Sequence, residues 1–589
     1  MITPAGSAAP KLSGRALGCT IGALSAITAA VFGVTSTGSY AGVIGEGIGN
    51  PALTAWMSNT AQICQAILGP AISLSADLWG RKTFMLSGLA LGALGGIVTA
   101  TSHHPQVALL GAVFTGFGFG VQGVYVAVVS EVLPRALRPL AQTIFNIASS
   151  TGGVMGIAAG GLYIKYDVVG AGWRMIYGTL AILYGLSCLT ILFLYRPAQK
   201  RPDVSAVFHN HRYKIMAIDP VGVLLLACGV CPLYYGLVSA LNPYKWSDAH
   251  VLGPLCAGLA GFACFGLWEW KGNSEGLLHH ALFSRSRNYA LSVALLFTEG
   301  VLFFSFNAFW AREAAAILSI PAWEAGMNFL WFFIPSTIAT PFVGWAAQRF
   351  REVKVSLALG FGCFLIASIG MATVQPSSRI AIRAFACVSG IGFSSPLTLM
   401  SVCAQLASPP ELLALASVNL LVARALGGVV AVSCYNAVVK TRFAALLAPR
   451  LRQAVAGTKL TPEQVKGLIA AAHVPGAPGL RKVPGVSADV LSSVEAALRQ
   501  VWADSYRWIW VIAAPVALVA IAGVCCLEPI SPMMTREIDA PADAKKPDAS
   551  DVEGSELGGG GGEADDEVDK PELKPEVELI ETTQSLNKI

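Results

Sequence analysis

Two ionisable residues lie where the chain is otherwise apolar. Glu299 stands in Phe297-Thr298-Glu299-Gly300-Val301-Leu302-Phe303-Phe304-Ser305, inside an apolar run over about 289–311, and Arg424 stands in the middle of another over 412–438. A charge inside a lipid-embedded helix is expensive, so each needs a partner or a task. Pairing lowers the cost of both. A carboxylate that alternately pairs with Arg424 and takes up a proton is a proton-coupling device; a purely structural ion pair is the competing reading. Gln62, Gln122, Asn146, Asn307 and Asn419, with Asn328 and Asn436, put amides into other apolar runs. Singly each reads as a helix-packing hydrogen bond; together they are expected to line a polar path for substrate. Tyr125 and Trp310, with Trp56, Phe303, Phe306, Trp331 and Phe332, offer ring faces to a bulky hydrophobic ligand, against the plainer reading of aromatics at a lipid interface. Glu131, Arg135 and Arg138, at the end of a span, read as gate or loop contacts.

The elements that must position these residues are membrane spans. Of 589 residues 54% are apolar and only 13% charged, too few charges to cover a soluble domain of this size. Runs of about twenty apolar residues recur, each long enough to cross a hydrocarbon core of ~30 Å. They fall at about 17–38, 53–76, 84–101, 106–130, 141–164, 174–195, 217–240, 250–270, 289–311, 325–347, 353–374, 380–404, 412–438 and 507–527. The first is too long for a cleaved signal. The fold class expected is therefore all-α integral membrane with about fourteen helices, six plus two plus six. Residues 1–16 form a cytoplasmic N-terminus, 17–196 a first six-helix half, and 197–288 a basic cytoplasmic joint with two extra spans. Residues 289–530 form a second half with a long outer loop over 440–505, and 531–589 an acidic, disordered cytoplasmic tail. Arg81/Lys82, Arg135/Arg138 and the cations of 196–214 fall in alternate loops, which places both termini in the cytoplasm. Within the long loop, Val494-Glu495-Ala496-Ala497-Leu498-Arg499-Gln500-Val501-Trp502 has the pattern of an amphipathic helix lying on the membrane surface.

Two further stretches have a stated physical use. In Ser73-Leu74-Ser75-Ala76-Asp77-Leu78-Trp79-Gly80-Arg81-Lys82, Gly80 permits a tight reversal between spans and Asp77 can pair with the adjacent cations. In Thr151-Gly152-Gly153-Val154-Met155-Gly156-Ile157-Ala158-Ala159-Gly160-Gly161, Gly152, Gly156, Gly160 and Gly161 permit close helix contact and bending. The thirteen Cys are scattered, mostly within apolar runs, and read as small buried hydrophobes; packing is also the reading for Cys525-Cys526, with lipidation as the rival. His103-His104 and His279-His280 are adjacent pairs that point apart, so no metal is assigned. No phosphate loop or nucleophile constellation appears, so no cofactor, ATP drive or enzymatic activity is expected. The cations lie in short loops, which gives no case for nucleic acid.

The loop D-x-x-G-R-K at Asp77, Gly80, Arg81 and Lys82 resembles the latch loop between the second and third helices of major facilitator superfamily transporters, with Ser73 where Gly is usual. Gly344-Trp345-Ala346-Ala347-Gln348-Arg349-Phe350-Arg351 is a degenerate second copy. The glycine stretch resembles that superfamily's antiporter motif, with Ile157 where Pro is usual. Ser130-Glu131-Val132-Leu133-Pro134, Arg138-Pro139-Leu140-Ala141, Gly172-Trp173-Arg174, Phe297-Thr298-Glu299-Gly300, Phe306-Asn307-Ala308-Phe309-Trp310, Val483-Pro484-Gly485-Val486 and Ala503-Asp504-Ser505-Tyr506-Arg507 resemble the fungal trichothecene efflux pump family, a fourteen-helix drug–proton antiporter type. The resemblance spans roughly 17–540. It implies a monomeric plasma-membrane carrier, with the vacuolar or a vesicle membrane as alternatives, exporting a hydrophobic toxin, drug or secondary metabolite by proton antiport. Its implied partners are that small molecule, protons and the lipid bilayer. Siderophore-iron transporters are near relatives, so chelate uptake by proton symport is the second reading; a non-transporting membrane sensor is the rival of a different class. Many proton-coupled relatives carry Arg in the fourth helix where this chain has Ala112, so a mechanism relying on that Arg is not available here.

Overall fold

The computed structural model describes residues 14–535 apart from 51–52, 132–134, 168–171, 196–217, 241–243, 377, 410–411, 457, 459, 473–479 and 481–485. The basic stretch 196–214, Val483 to Gly485, the Glu131 side chain and the acidic tail past 535 lie outside the described residues. What is described is helical, with no strand. The helices are α1 (Gly14–Gly47), α2 (Leu53–Trp79), α3 (Arg81–Thr101), α4 (Pro105–Gly120), α5 (Gln122–Glu131), α6 (Arg138–Tyr166) and α7 (Gly172–Leu194). Next come α8 (Pro220–Ser239), α9 (Ala249–Leu267) and the short α10 (His280–Ser284). The last group is α11 (Arg287–Leu318), α12 (Ala322–Asn328), α13 (Leu330–Phe350), α14 (Lys354–Ala372), α15 (Arg379–Ala407), α16 (Leu413–Ala454), α17 (Pro462–Ala472) and α18 (Ala488–Cys525). Thirteen segments among them are long and apolar enough to cross a membrane, α4–α5 and α12–α13 each counting as one broken span. Helix α2, 27 residues or about 40 Å long, is more polar and completes the six-plus-two-plus-six array.

Local chemistry sets the ends. Gly80, at φ +109°, separates α2 from α3, a conformation that L side chains rarely adopt. Asp219 caps α8 by accepting from the Gly222 amide at 3.0 Å. Asp248 caps α9 through the His250 amide at 2.9 Å, and that bond holds its carboxyl below the usual aspartate range.

The halves repeat each other in their packing. Counting spans within each half, first packs on fifth (α1 on α6, α11 on α16) and third on fourth (α3 on α4, α14 on α15). Third also packs on sixth (α3 on α7, α14 on α18) and second on fourth (α2 on α4, α13 on α15). Between halves, α2 meets α16 and α6 meets α13, so each second span touches the other half's fifth. That reciprocity is what a two-fold repeat requires. The extra pair α8–α9 packs on itself and rests on α2 and α16 beside this seam.

Three expectations need correction. The stretch 440–505 is not mainly loop, and the pattern at 494–502 does not lie on a membrane surface. Helix α16 continues to Ala454 and α18 begins at Ala488, so both project past the bundle as one small helical cap with α17. Phe443, Leu447 and Leu451 of α16 and Val455 just past its end, spaced by four, pack with Leu468 and Ala472 of α17 and with Val494, Leu498 and Val501 of α18. Phe443 stacks on Trp502 at 4.0 Å. The apolar stripe of 494–502 is buried against protein. Nor are the cysteines mostly buried: all are free, and Cys228, Cys231, Cys256, Cys264, Cys525 and Cys526 are exposed. A thiol is apolar enough to face hydrocarbon. Cys228 and Cys231 stand in C-x-x-C spacing on α8, yet among the described residues no three ligands gather for a metal.

Candidate functional site

Helices α11 and α16 cross where their backbones can touch. A β-carbon at Gly300 would collide with the Arg424 carbonyl, and one at Gly427 with the Phe297 carbonyl. Small residues at a crossing allow this approach. The crossing brings Glu299 and Arg424 together: Arg424 Nε donates to Glu299 Oε2 at 2.6 Å and Nη2 to Oε1 at 3.4 Å. The Glu299 side chain is fully enclosed and that of Arg424 is 9% exposed. Twelve residues into α11 and eleven into α16, the pair lies about 17 Å from the start of each helix, deep in a hydrocarbon-thick layer. Phe303, Phe304 and Phe393 stand around the guanidinium, at 4.6, 5.4 and 5.7 Å from ring centre to Arg424 Cζ. A cation among ring faces with one carboxylate is a low-cost buried charge. This geometry gives a direct test of the crossing. Gly300→Leu is expected to cost at least the ~1–3 kcal/mol of overpacking, whereas Gly178→Leu, where a β-carbon meets open space, should leave thermal stability in detergent unchanged. Equal stability of the two variants would contradict the close crossing.

At the end of the bundle that carries Gly80, polar side chains tie the halves together. Arg138, buried at the start of α6, donates to the Gln405 carbonyl of α15 at 2.6 Å. Gln142 donates to Ser130 at 2.7 Å and reaches Gln405 at 3.4 Å, and Gln405 donates to Ser417 of α16 at 3.0 Å. One level deeper Asn146 donates to Thr398 at 2.8 Å. Nearby, Arg81 is bonded to Asp77 at 3.0 Å, and Lys82 donates to the Leu192 carbonyl at 2.9 Å, capping the end of α7. The opposite end is closed by packing. Tyr40 of α1 donates to the Ile157 carbonyl at 2.8 Å and lies against Gly326 of α12, while Met327 lies against Gly161.

The glycines of α6 divide by face. Gly152, Gly156 and Gly160 receive Thr28, Phe32 and Tyr40 of α1, while Gly153 and Gly161 receive Phe333 and Met327 from the second half. Among the amides, Gln122 accepts from Gln65 at 2.9 Å and Asn419 donates to the Leu277 carbonyl at 2.9 Å. Gln62, with its amide turned to donate, reaches the Ser58 carbonyl of its own helix at 3.0 Å. Asn307 lies beside Gly38 of α1. Asn307 Oδ1, Tyr125 OH and Trp310 Nε1 are buried without a hydrogen-bond partner.

A cleft of about 20 Å³ lies in the first half, lined in part by Thr37, Ser58, Thr60, Ala112, Tyr177 and Tyr184. It has room for a water or so, far below the ~300 Å³ that a drug-sized ligand occupies. Contacts between the halves are thus present at both ends of the bundle. The sequence reading missed Gln142, Gln405, Thr37 and Tyr177; ordinary polar residues in helices carry no signal of which face they take.

A profile of the Major Facilitator Superfamily matches residues 21–432. The MFS-type transporter gkaD of Penicillium citrinum is 24% identical over 441 residues, covering 72% of this chain and 72% of the relative. Trichothecene efflux pump TRI12 of Fusarium sporotrichioides is 21% identical, over 78% and 77%. Multidrug resistance protein Stp of Mycobacterium tuberculosis is 25% identical, over 68% and 71%. A crystal structure of the peptide transporter POT with sulfate superposes with a TM-score of 0.51 at 14% identity, over 88% of this chain and 95% of that one, a likeness of fold. The reciprocal packing of its halves and the profile that covers most of its length agree: this multi-pass membrane protein belongs to the Major Facilitator Superfamily.

Proposed function

We propose that this chain is a proton-coupled exporter of hydrophobic small molecules, of the toxin, drug or secondary-metabolite class, in the plasma membrane with both termini in the cytoplasm. The observation that carries the reading is the buried Glu299–Arg424 pair at mid-depth. Contacts between the halves at both ends, around a buried carboxylate, are the parts that alternating access needs. Export draws its support from the relatives, which include a trichothecene efflux pump and a multidrug resistance protein. In the cycle, Glu299 bonded to Arg424 is an electrically balanced pair. When a proton binds the carboxylate the attraction weakens, α11 and α16 are freed to move, and release of the proton on the other side restores the pair. Asp77, Arg81 and Lys82 would hold the α2–α3 turn and the end of α7 as a latch, and the buried aromatics and amides would form the substrate path once an end opens.

The test is accumulation of labelled hydrophobic toxins, and of a labelled ferric siderophore, in yeast with and without the chain. Lower toxin accumulation that disappears with a protonophore is expected. Glu299→Gln, at unchanged surface expression, should bring toxin accumulation back to the level of cells lacking the chain. Protonophore-sensitive export by Glu299→Gln would end the Glu299 assignment; higher siderophore accumulation would reverse the direction.

A further inference from the structure

Glu313 has no part in the cycle above. It lies on α11 fourteen residues beyond Glu299 and five before the helix ends at Leu318. Fourteen residues are close to four turns, so the two carboxyls leave the same face of α11, about 21 Å apart along it. Glu313 is 1% exposed. Its hydrogen bond among the described residues comes from Trp510 Nε1 of α18, at 2.7 Å to Oε2. Tyr506, one turn before Trp510, is within electrostatic reach of it. Arg312, its neighbour in sequence, lies 5.8 Å from the Phe309 ring centre and is within electrostatic reach of Tyr234 of α8, Tyr506 and Lys440 of α16. Among the described residues no ion pair joins Glu313 to a cation. Glu299 therefore has a cation in bonding range, and Glu313 has an indole.

That difference decides its chemistry. An ionised carboxylate held only by a neutral donor in a buried site is costly, and no group of metal ligands surrounds it among the described residues. Binding and releasing a proton is what such a group can do. The two acids are also joined by packing. The Trp510 ring lies 4.5 Å from Phe306, Phe306 is 6.3 Å from Phe332, and Phe332 is 5.9 Å from Phe303. Phe303 in turn is the ring closest to Arg424. A continuous column of rings thus runs from Trp510 to the partner of Glu299.

We infer that Glu313 is a second proton-binding site of this carrier, loaded from the end that bears α17, and that Trp510 is the positioning residue that holds its carboxyl while the proton is on. Its role in coupling rests on the proton-exchange reading; its proton binding does not.

Infrared difference spectra of the full chain in nanodiscs, recorded across pH steps, separate the two. The expected result is a carboxyl C=O band that titrates, vanishes in Glu313→Gln and persists in Glu299→Gln. Trp510→Phe should shift that band without removing it. In vesicles, Trp510→Phe should displace the pH profile of transport, and Glu313→Asp should restore part of what Glu313→Gln loses. Spectra of Glu313→Gln that match the wild type would overturn the proposal, as would a Trp510→Phe spectrum with no shifted band where Glu313→Gln does not fold. A Glu313 band together with transport indifferent to protonophore would leave the site standing and remove the exchange reading.

Discussion

Arg424→Ala is expected to destabilise the protein more than Glu299→Gln, and the double replacement is expected to recover much of the loss. Removing the guanidinium leaves Glu299 enclosed without its cation, with Phe303, Phe304 and Phe393 around the vacated position. Ring faces carry negative potential and cannot take over from a cation. An uncompensated buried charge costs about 3–5 kcal/mol. Glu299→Gln is gentler. It leaves the cation among three rings, a setting worth up to ~2 kcal/mol or more when desolvated, and an amide oxygen to accept from it. Glu299→Gln with Arg424→Ala removes both charges, so the surviving penalty is a cavity. Thermal unfolding in detergent should therefore rank Arg424→Ala below the double variant, with Glu299→Gln nearest the wild type. All three should lose protonophore-sensitive export, because none can alternate between a paired carboxylate and a protonated one. An equal fall in stability for both single variants, with no recovery in the double, would mean that the pair is not the balanced unit described.

What the chain revealed about itself follows from which forces leave a mark in sequence. Glu299 and Arg424 were legible because each is one charge in an apolar run, and lipid makes such a charge conspicuous. Their pairing followed from cost alone. The repeat was faint in sequence, since Gly344–Arg351 shares little with Ser73–Lys82, yet the packing repeats span for span. Helix packing is set by small residues and shape, which many sequences satisfy. Even the turn is kept: Arg351 ends α13 at φ +53° in the same left-handed half of conformational space that Gly80 occupies in the first half. Glu313 carries no such mark, because hydropathy falls at Arg312-Glu313 and the apolar run stops at 311, whereas Ala314-Ala315-Ala316 carry the helix on to Leu318. The 494–502 stripe predicts an amphipathic helix, which forms, but its apolar side is covered by protein and not by a membrane surface. Periodicity tells that one side of a helix is dry and says nothing of what dries it.

Arg138→Ala is expected to open the Gly80 end. The buried Arg138 reaches from the first half to the Gln405 carbonyl at 2.6 Å, beside the Gln142, Gln405 and Ser417 bonds. A hydrogen bond from a charged group contributes about 1.5–3 kcal/mol. It exists only while α6 and α15 are together, so its loss bears on the closed state and not on the open one. At 1.4 kcal/mol per factor of ten, the population open at that end should rise roughly 10–100-fold. Cys403 supplies the readout without an added label, being two residues from Gln405 on α15 and 0% exposed. Its alkylation by a maleimide, followed peptide by peptide, should accelerate by about the same factor, while exposed Cys525 and Cys526 react as before. Arg138→Lys should fall between, because an ammonium keeps the charge and loses the planar fork. An unchanged Cys403 rate would place the closing force in packing alone. The predicted gain in openness should also slow transport, since a carrier must return to the occluded state in every cycle, and a weaker clasp makes that return less probable on each attempt.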